Sequence, residues 1–219
     1  MNLDFSQIVP YIPFILEGIW ATIKFVFISI FIGLLLGTTL ATFKITNNKL
    51  LKGIADVYTS IFRGTPLILQ LFLIYFALPQ LTGVDLGMFV SAILAFGLNS
   101  AAYVSEIIRA GIMAVDKGQT EAAQALGIPY KKMMVNIILP QAFKNILPAL
   151  MNEIITLTKE SALVATIGYM DLMRRAEIVG AQLYRNFEAY ILVGIIYWFM
   201  IFILTKLGSM LERRLRQGD

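Results

Sequence analysis

Two groups of polar residues interrupt otherwise apolar stretches of this 219-residue chain, and their types suit ligand binding better than bond-making. The first is Arg63-Gly64-Thr65-Pro66, followed by Leu67 and Gln70. Pro66 lacks an N–H and restricts Thr65, while Gly64 permits a sharp bend, so a helix should break there. A helix restarting at Pro66 points its positive end at the break. Arg63 could then hold a carboxylate through two parallel hydrogen bonds. Equally, the break is a kink that packs two helices, with Arg63 paired to an internal acid. The second group is Glu153, Thr156 and Glu160, at i, i+3 and i+7 on one helix face, with Ser161 following. Glu153 is the candidate counter-charge for a cationic group, and Asn99 and Gln70 could add neutral hydrogen bonds. Polar packing across a two-fold axis, with Lys159 and Glu160 neutralising neighbours, is the competing reading. Glu106 and Arg109, three apart, read first as a structural salt bridge, and Lys24 is assigned no role.

The elements that carry these residues must cross a bilayer. The chain is 58% hydrophobic and 15% charged, against roughly 45–50% and about 25% in average soluble domains. It has 0 His and 0 Cys, which removes His- or Cys-dependent nucleophiles, His/Cys metal and haem sites, and disulfides. No metal ligand set is expected. A spanning helix needs about 20 mostly apolar residues, and the sequence offers five spans at about 19–43, 54–78, 88–108, 146–167 and 190–206. The first follows an N-terminus with Asp4 and no early Lys or Arg, so it reads as a retained span rather than a signal peptide. Lys44, Lys49, Lys52, Lys117, Lys131, Lys132, Lys144, Lys206, Arg213, Arg214 and Arg216 all fall on one side if the N-terminus is outside and the C-terminus inside. Arg174, Arg175 and Arg185 oppose this but are diluted by Asp171, Glu177 and Glu188. The segment 168–188 is expected to carry a short external surface helix.

Between spans three and four lies a cytoplasmic excursion, 116–140, with a helical rather than linker composition. Thr120 and Glu121 begin a run of helix formers that Gly127 should stop in a left-handed turn. Pro129 suits the start of a second helix, and Pro140 should end it. On physics alone this is an amphipathic connector at the membrane surface.

The spacing of Glu121-Ala122-Ala123, Leu126-Gly127-Ile128-Pro129 and Ile137 with Leu139-Pro140 resembles the cytoplasmic loop of permease subunits of ATP-binding-cassette importers. Phe62-Arg63-Gly64-Thr65-Pro66-Leu67 with Gln70, the run Asn99 to Gly111, Asp116, Gly118, Gln119 and Ser161-Ala162-Leu163-Val164 resemble the polar amino acid permeases of that group. The resemblance implies an all-α, type I importer fold: one permease domain of five spans, N-out and C-in, with a cytoplasmic coupling helix. Glu121, Ala122, Ala123, Leu126, Gly127, Ile128 and Pro129 would seat on a separate ATPase. Two permease subunits, this chain with a copy or a close homologue, would enclose the path. Two ATPase subunits would bind ATP and Mg, and an external binding protein would deliver a polar amino acid. The setting implied is the prokaryotic cytoplasmic membrane. No phosphate-binding Gly-x-x-x-x-Gly-Lys-Ser/Thr occurs, so this chain is expected to be no enzyme. The acids near 153–160 favour arginine, lysine or histidine, with glutamine or glutamate as the alternative cargo. A secondary transporter or ion channel is the remaining class, and it has no use for the cytoplasmic elbow.

Overall fold

The computed structural model describes residues 3–216; the side chain of Arg216, counted above among the basic residues, lies outside the described part. Ten α-helices follow one another among the described residues, with short 3₁₀ and π stretches between some of them and no strand. Two 3₁₀ turns, Phe5–Gln7 and Val9–Tyr11, lead into α1, Ile12–Ile45, which at about 1.5 Å per residue is longer than a bilayer core is thick. Trp20, Phe27, Phe31 and Leu35 stand exposed along it, while Phe25, Val26 and Ile30 are buried. This is the division expected of a helix with lipid on one side and protein on the other.

α2, Lys49–Gly64, starts at Asn48, whose side chain accepts the Leu50 and Leu51 amides. α3, Leu67–Phe72, a π stretch at Leu73–Ala77 and α4, Leu78–Thr82, continue beyond a bend of 101°. The second span is thus a broken pair, and the break falls at Thr65–Pro66. α5, Gly87–Met113, is the most enclosed long helix and packs mainly against α1 and α8. Phe25 of α1 meets Phe96 of α5 edge to face at 4.7 Å between ring centres, in a core shared with Leu71, Leu157 and Val164.

On the cytoplasmic side, α6 is Lys117–Ala125 and α7 is Tyr130–Met133. Pro140 does not end the second helix. A π stretch, Met134–Ile138, joins α7 to α8, Leu139–Glu160, as one helical run from Tyr130 to Ile167 that closes in a 3₁₀ segment, Ser161–Ile167. A proline in a regular helix clashes with the carbonyl four residues back; the wider π turn just before it moves that carbonyl away. The same device precedes Pro79.

α9, Leu172–Leu183, is the helix expected within 168–188, and one of its faces is packed against the bundle. Leu172, Ala176 and Val179 are buried with Ile8, Ile15, Ala189 and Val193, so α9 packs onto α1 and α10, Asn186–Arg216. Gly18 makes this contact possible, because a Cβ there would come within 2.5 Å of the Leu172 Cα. Among the described residues, four helical runs are long and apolar enough to cross a membrane alone, and the bent pair makes five.

Candidate functional site

The break between α2 and α3 leaves carbonyls without helical partners, and two amide side chains meet them. Gln70 Nε2 donates to Phe62 O at 2.9 Å, Thr65 O at 3.1 Å and Thr65 Oγ1 at 2.9 Å. Asn99 Nδ2, from α5, donates to Phe62 O at 3.1 Å and to Gln70 Oε1 at 3.0 Å. Both amides are buried, as is Leu67. Gln70, Asn99 and Thr65 are therefore engaged with one another and hold the bend open. Gly64 faces open space.

Arg63 leaves this network and turns to another. Its guanidinium lies 5.4 Å from the Tyr103 ring centre, and Nη1 is 3.9 Å from Glu106 Oε2. Glu106 is already held by Lys44 and by Arg109, whose Nε and Nη2 donate at 3.1 and 2.8 Å. Lys44, 8% exposed, also pairs with Asp56 at 3.1 Å and donates to Thr59 at 2.8 Å. One carboxylate thus fastens α1 to α5, and Arg63 is its loosest partner, with a half-exposed side chain. Arg63, Tyr103, Glu106, Asn145 and Ala149 line a cavity of about 490 Å³ between the end of α2, α5 and α8.

Glu153 sits four residues beyond Ala149 on α8, about 6 Å along the axis. It is 8% exposed and accepts the Ser100 hydroxyl of α5 at 2.9 Å. Among the described residues it forms no ion pair. Thr156 is exposed, Glu160 is half-buried beside Lys159, and Ser161 is fully buried. The hydroxyl of Ser161 donates to Thr158 O at 2.7 Å and meets Tyr197 Oη at 3.4 Å, so it belongs to the wall behind the face. Arg63 and Glu153 flank the α5–α8 groove without touching each other.

At the cytoplasmic end, Asp116 caps α6 by accepting the Gly118 amide at 2.7 Å. The helix stops in two reverse bonds, Gly127 N to Gln124 O and Ile128 N to Ala123 O, both 2.9 Å. That pairing needs a left-handed residue, and Gly127 has φ +68°. Ala123 is buried with Met133 and Ile138, and Ile128 packs against them. Glu121, Ala122, Pro129 and, at 78% exposure, Leu126 are left facing outward. The product is a rigid elbow with an apolar tip, resting on the base of α8.

Residues 29–217 match the family described as the binding-protein-dependent transport system inner membrane component. The chain belongs to this family. Over 219 residues, all of both chains, it is 58% identical to the arginine transport system permease protein ArtQ of Bacillus subtilis strain 168. Over 206 residues, 94% of each chain, it is 49% identical to the putative glutamine transport system permease protein GlnP of Rickettsia bellii. Its fold superposes on a crystal structure of an amino acid ABC transporter solved with histidines at a TM-score of 0.94, with 46% identity and 98% and 100% coverage. It also superposes on the MetNI methionine transporter in an inward-facing conformation at 0.81, with 21% identity over 94% and 98% of the chains.

The chain is the permease subunit of an amino acid importer of the ATP-binding-cassette class, with the type I importer permease fold. It is a multi-pass membrane protein and not an enzyme: ATP hydrolysis belongs to a separate subunit of the system. Such a permease works with ATPase subunits, a substrate-binding protein and a second permease. No group of three or more metal-ligating side chains occurs among the described residues. Sequence reasoning missed Tyr103 and Asn145 in the cavity and Ser100 beside Glu153. An aromatic, an amide or a serine inside a helix carries no local signal of what it faces.

Proposed function

We propose that this permease carries a basic amino acid, with Glu153 as counter-charge to the cationic side chain and Arg63 as partner of the α-carboxylate. One observation carries the reading: Glu153 is a buried carboxyl whose one contact is a neutral hydroxyl, with no cation of this chain paired to it among the described residues. Ionisable groups in a membrane helix are retained at a cost and mark substrate paths. Arg63 is the cation of its cluster most free to turn, and the cavity beside it ends one helical turn short of Glu153. A zwitterion with a long positive side chain suits two opposite charges set apart in this way. Thr156 and Glu160 extend the same face outward, while Gly64, Thr65, Leu67, Gln70 and Asn99 set the shape of the bend. The 58% identity to an arginine permease supports this cargo; the 49% identity to a glutamine permease supports glutamine as the second reading.

The elbow from Glu121 to Pro129 seats on the partner ATPase, which holds ATP and Mg, and an external binding protein supplies the cargo. The second permease is a copy of this chain or a close homologue, and the setting is the prokaryotic cytoplasmic membrane. Uptake of labelled arginine and glutamine by the reconstituted complex tests the cargo. Glu153→Gln keeps the shape and removes the charge, so arginine uptake should fall by at least tenfold, the equivalent of about 1.4 kcal/mol. Glutamine uptake, where present, should fall much less. Arginine uptake equal to the parent's would overturn the assignment.

A further inference from the structure

A second buried acid lies outside the five spans and takes no part in the cargo site. Asp171 is 0% exposed and begins α9, where it accepts the Arg174 amide at 2.8 Å. Its other oxygen lies 3.4 Å from the Tyr197 hydroxyl of α10, and that hydroxyl lies 3.4 Å from Ser161 Oγ. Thr22 of α1 joins the group by accepting the Leu172 amide at 3.3 Å and by reaching Tyr197. Ser161 directly follows α8, two helical turns beyond Glu153. The Tyr197 hydroxyl is therefore shared between the outer end of the substrate helix and the residue that caps the start of α9. Both contacts are long for O–H···O bonds, so neither owns it.

We propose that Tyr197, Asp171 and Ser161 form a latch between the substrate helix and α9, which parts when the permease opens outward. The chemistry suits a bond that must break and reform. A tyrosine hydroxyl donates to a carboxylate strongly and to a neutral carboxyl less so. Burial pushes the Asp171 carboxyl up to about 6, so it changes charge near the pH of mildly acid surroundings. The groups facing it are Tyr197 from α10, Thr22 from α1, the Arg174 and Met173 amides, and Tyr169 and Glu177 of its own segment. The guanidinium of Arg174 is taken by Glu177 at 3.0 Å and does not compensate Asp171. Tyr197, Asp171 and Ser161 are positioning residues: they set how α8 and α9 stand relative to each other. The proposal does not depend on which amino acid is carried.

The test uses the full complex in liposomes, with ATP turnover measured with and without loaded binding protein between pH 5 and 8. The latch holds the resting state closed, so Tyr197→Phe, which keeps the ring and removes the hydroxyl, should raise unstimulated turnover about threefold, the equivalent of about 0.7 kcal/mol. In the parent, the ratio of unstimulated to stimulated turnover should rise as pH falls through about 6. In Asp171→Asn and Tyr197→Phe this step should vanish. Ser161→Ala serves as the second variant should Tyr197→Phe fail to assemble, and it should raise unstimulated turnover in the same direction. Parent-like turnover and an unchanged pH step in the assembled variants would overturn the latch and leave a packing cluster.

Discussion

Three buried ionisable side chains show how differently this permease handles charge at the scale of single residues. Lys44 is enclosed but meets Glu106, Asp56 and Thr59, so its burial is compensated and its role is to fasten helices. Among the described residues Glu153 has one hydrogen-bond partner, Ser100, and Asp171 has an amide cap and a shared hydroxyl. The surroundings of the latter two leave the charge incompletely answered, which is why each is proposed to carry a function. Asp171 also predicts a pH dependence of stability. Its carboxyl is raised from 3.8 to about 6 in the fold, so the folded state binds a proton more tightly than the unfolded chain. Its contribution is then full below about pH 4, falls as pH rises to about 6 and is constant above. Asparagine caps a helix as well as aspartate does and has no charge to bury. Asp171→Asn should therefore melt higher than the parent above pH 6, by an amount worth about 3 kcal/mol, and lose the slope between pH 4 and 6. Melting curves of the purified permease in detergent across that range would show it. A parent-like slope in the variant would assign the titration to another group.

At the scale of elements, what was legible depended on whether one residue could specify the feature. Gly127 announces its own geometry, since the reverse bonds closing α6 need a left-handed residue there. The break at Thr65–Pro66 was legible for the same reason, through the missing N–H of Pro66. What Gln70 and Asn99 do at that break was not, because Asn99 arrives from α5 and long-range partners leave no mark in local spacing. Pro140 misled because a π turn, which no single residue encodes, carries the helix past it. These distinctions sharpen a prediction for the elbow. A Cβ at Gly127 would meet nothing within 4 Å, so only the backbone conformation restricts the position. Gly127→Val should strain the turn by about 1–2 kcal/mol and uncouple ATP turnover from uptake. Gly127→Asn, which tolerates φ near +68°, should stay close to the parent. Equal loss in both variants would mean that the position is read by a partner surface rather than by its conformation.

For the whole molecule, the decisive question is which way the five spans run, since every functional assignment above has a side. Basic residues cluster beside the ends of α1, α2 and α10 and through the elbow, and the positive-inside rule puts those ends in the cytoplasm. The elbow at Lys117–Met133 then lies on the cytoplasmic side, where the proposed ATPase contact requires it, and α9 lies on the outer side. The fold was legible at this scale because composition and span length act on the whole chain at once, whereas the docking of one face of α9 on α1 and α10 was not, because its apolar stripe is short and shared with charges. The chain contains 0 Cys, so single-cysteine reporters need no prior removal of native thiols. Lys117 and Gln182 are both exposed, one at the start of α6 and the other near the end of α9. A membrane-impermeant maleimide should label Gln182→Cys in cells whose outer face is open to it, and should label Lys117→Cys only in inverted vesicles. Gln182 sits away from the α5–α8 groove, the elbow and the latch side chains, so uptake should survive in Gln182→Cys and certify that this labelled protein is native. The opposite labelling pattern would reverse the orientation. It would also move the elbow away from any ATPase and put Asp171 on the cytoplasmic side, so that external acidity could no longer reach it.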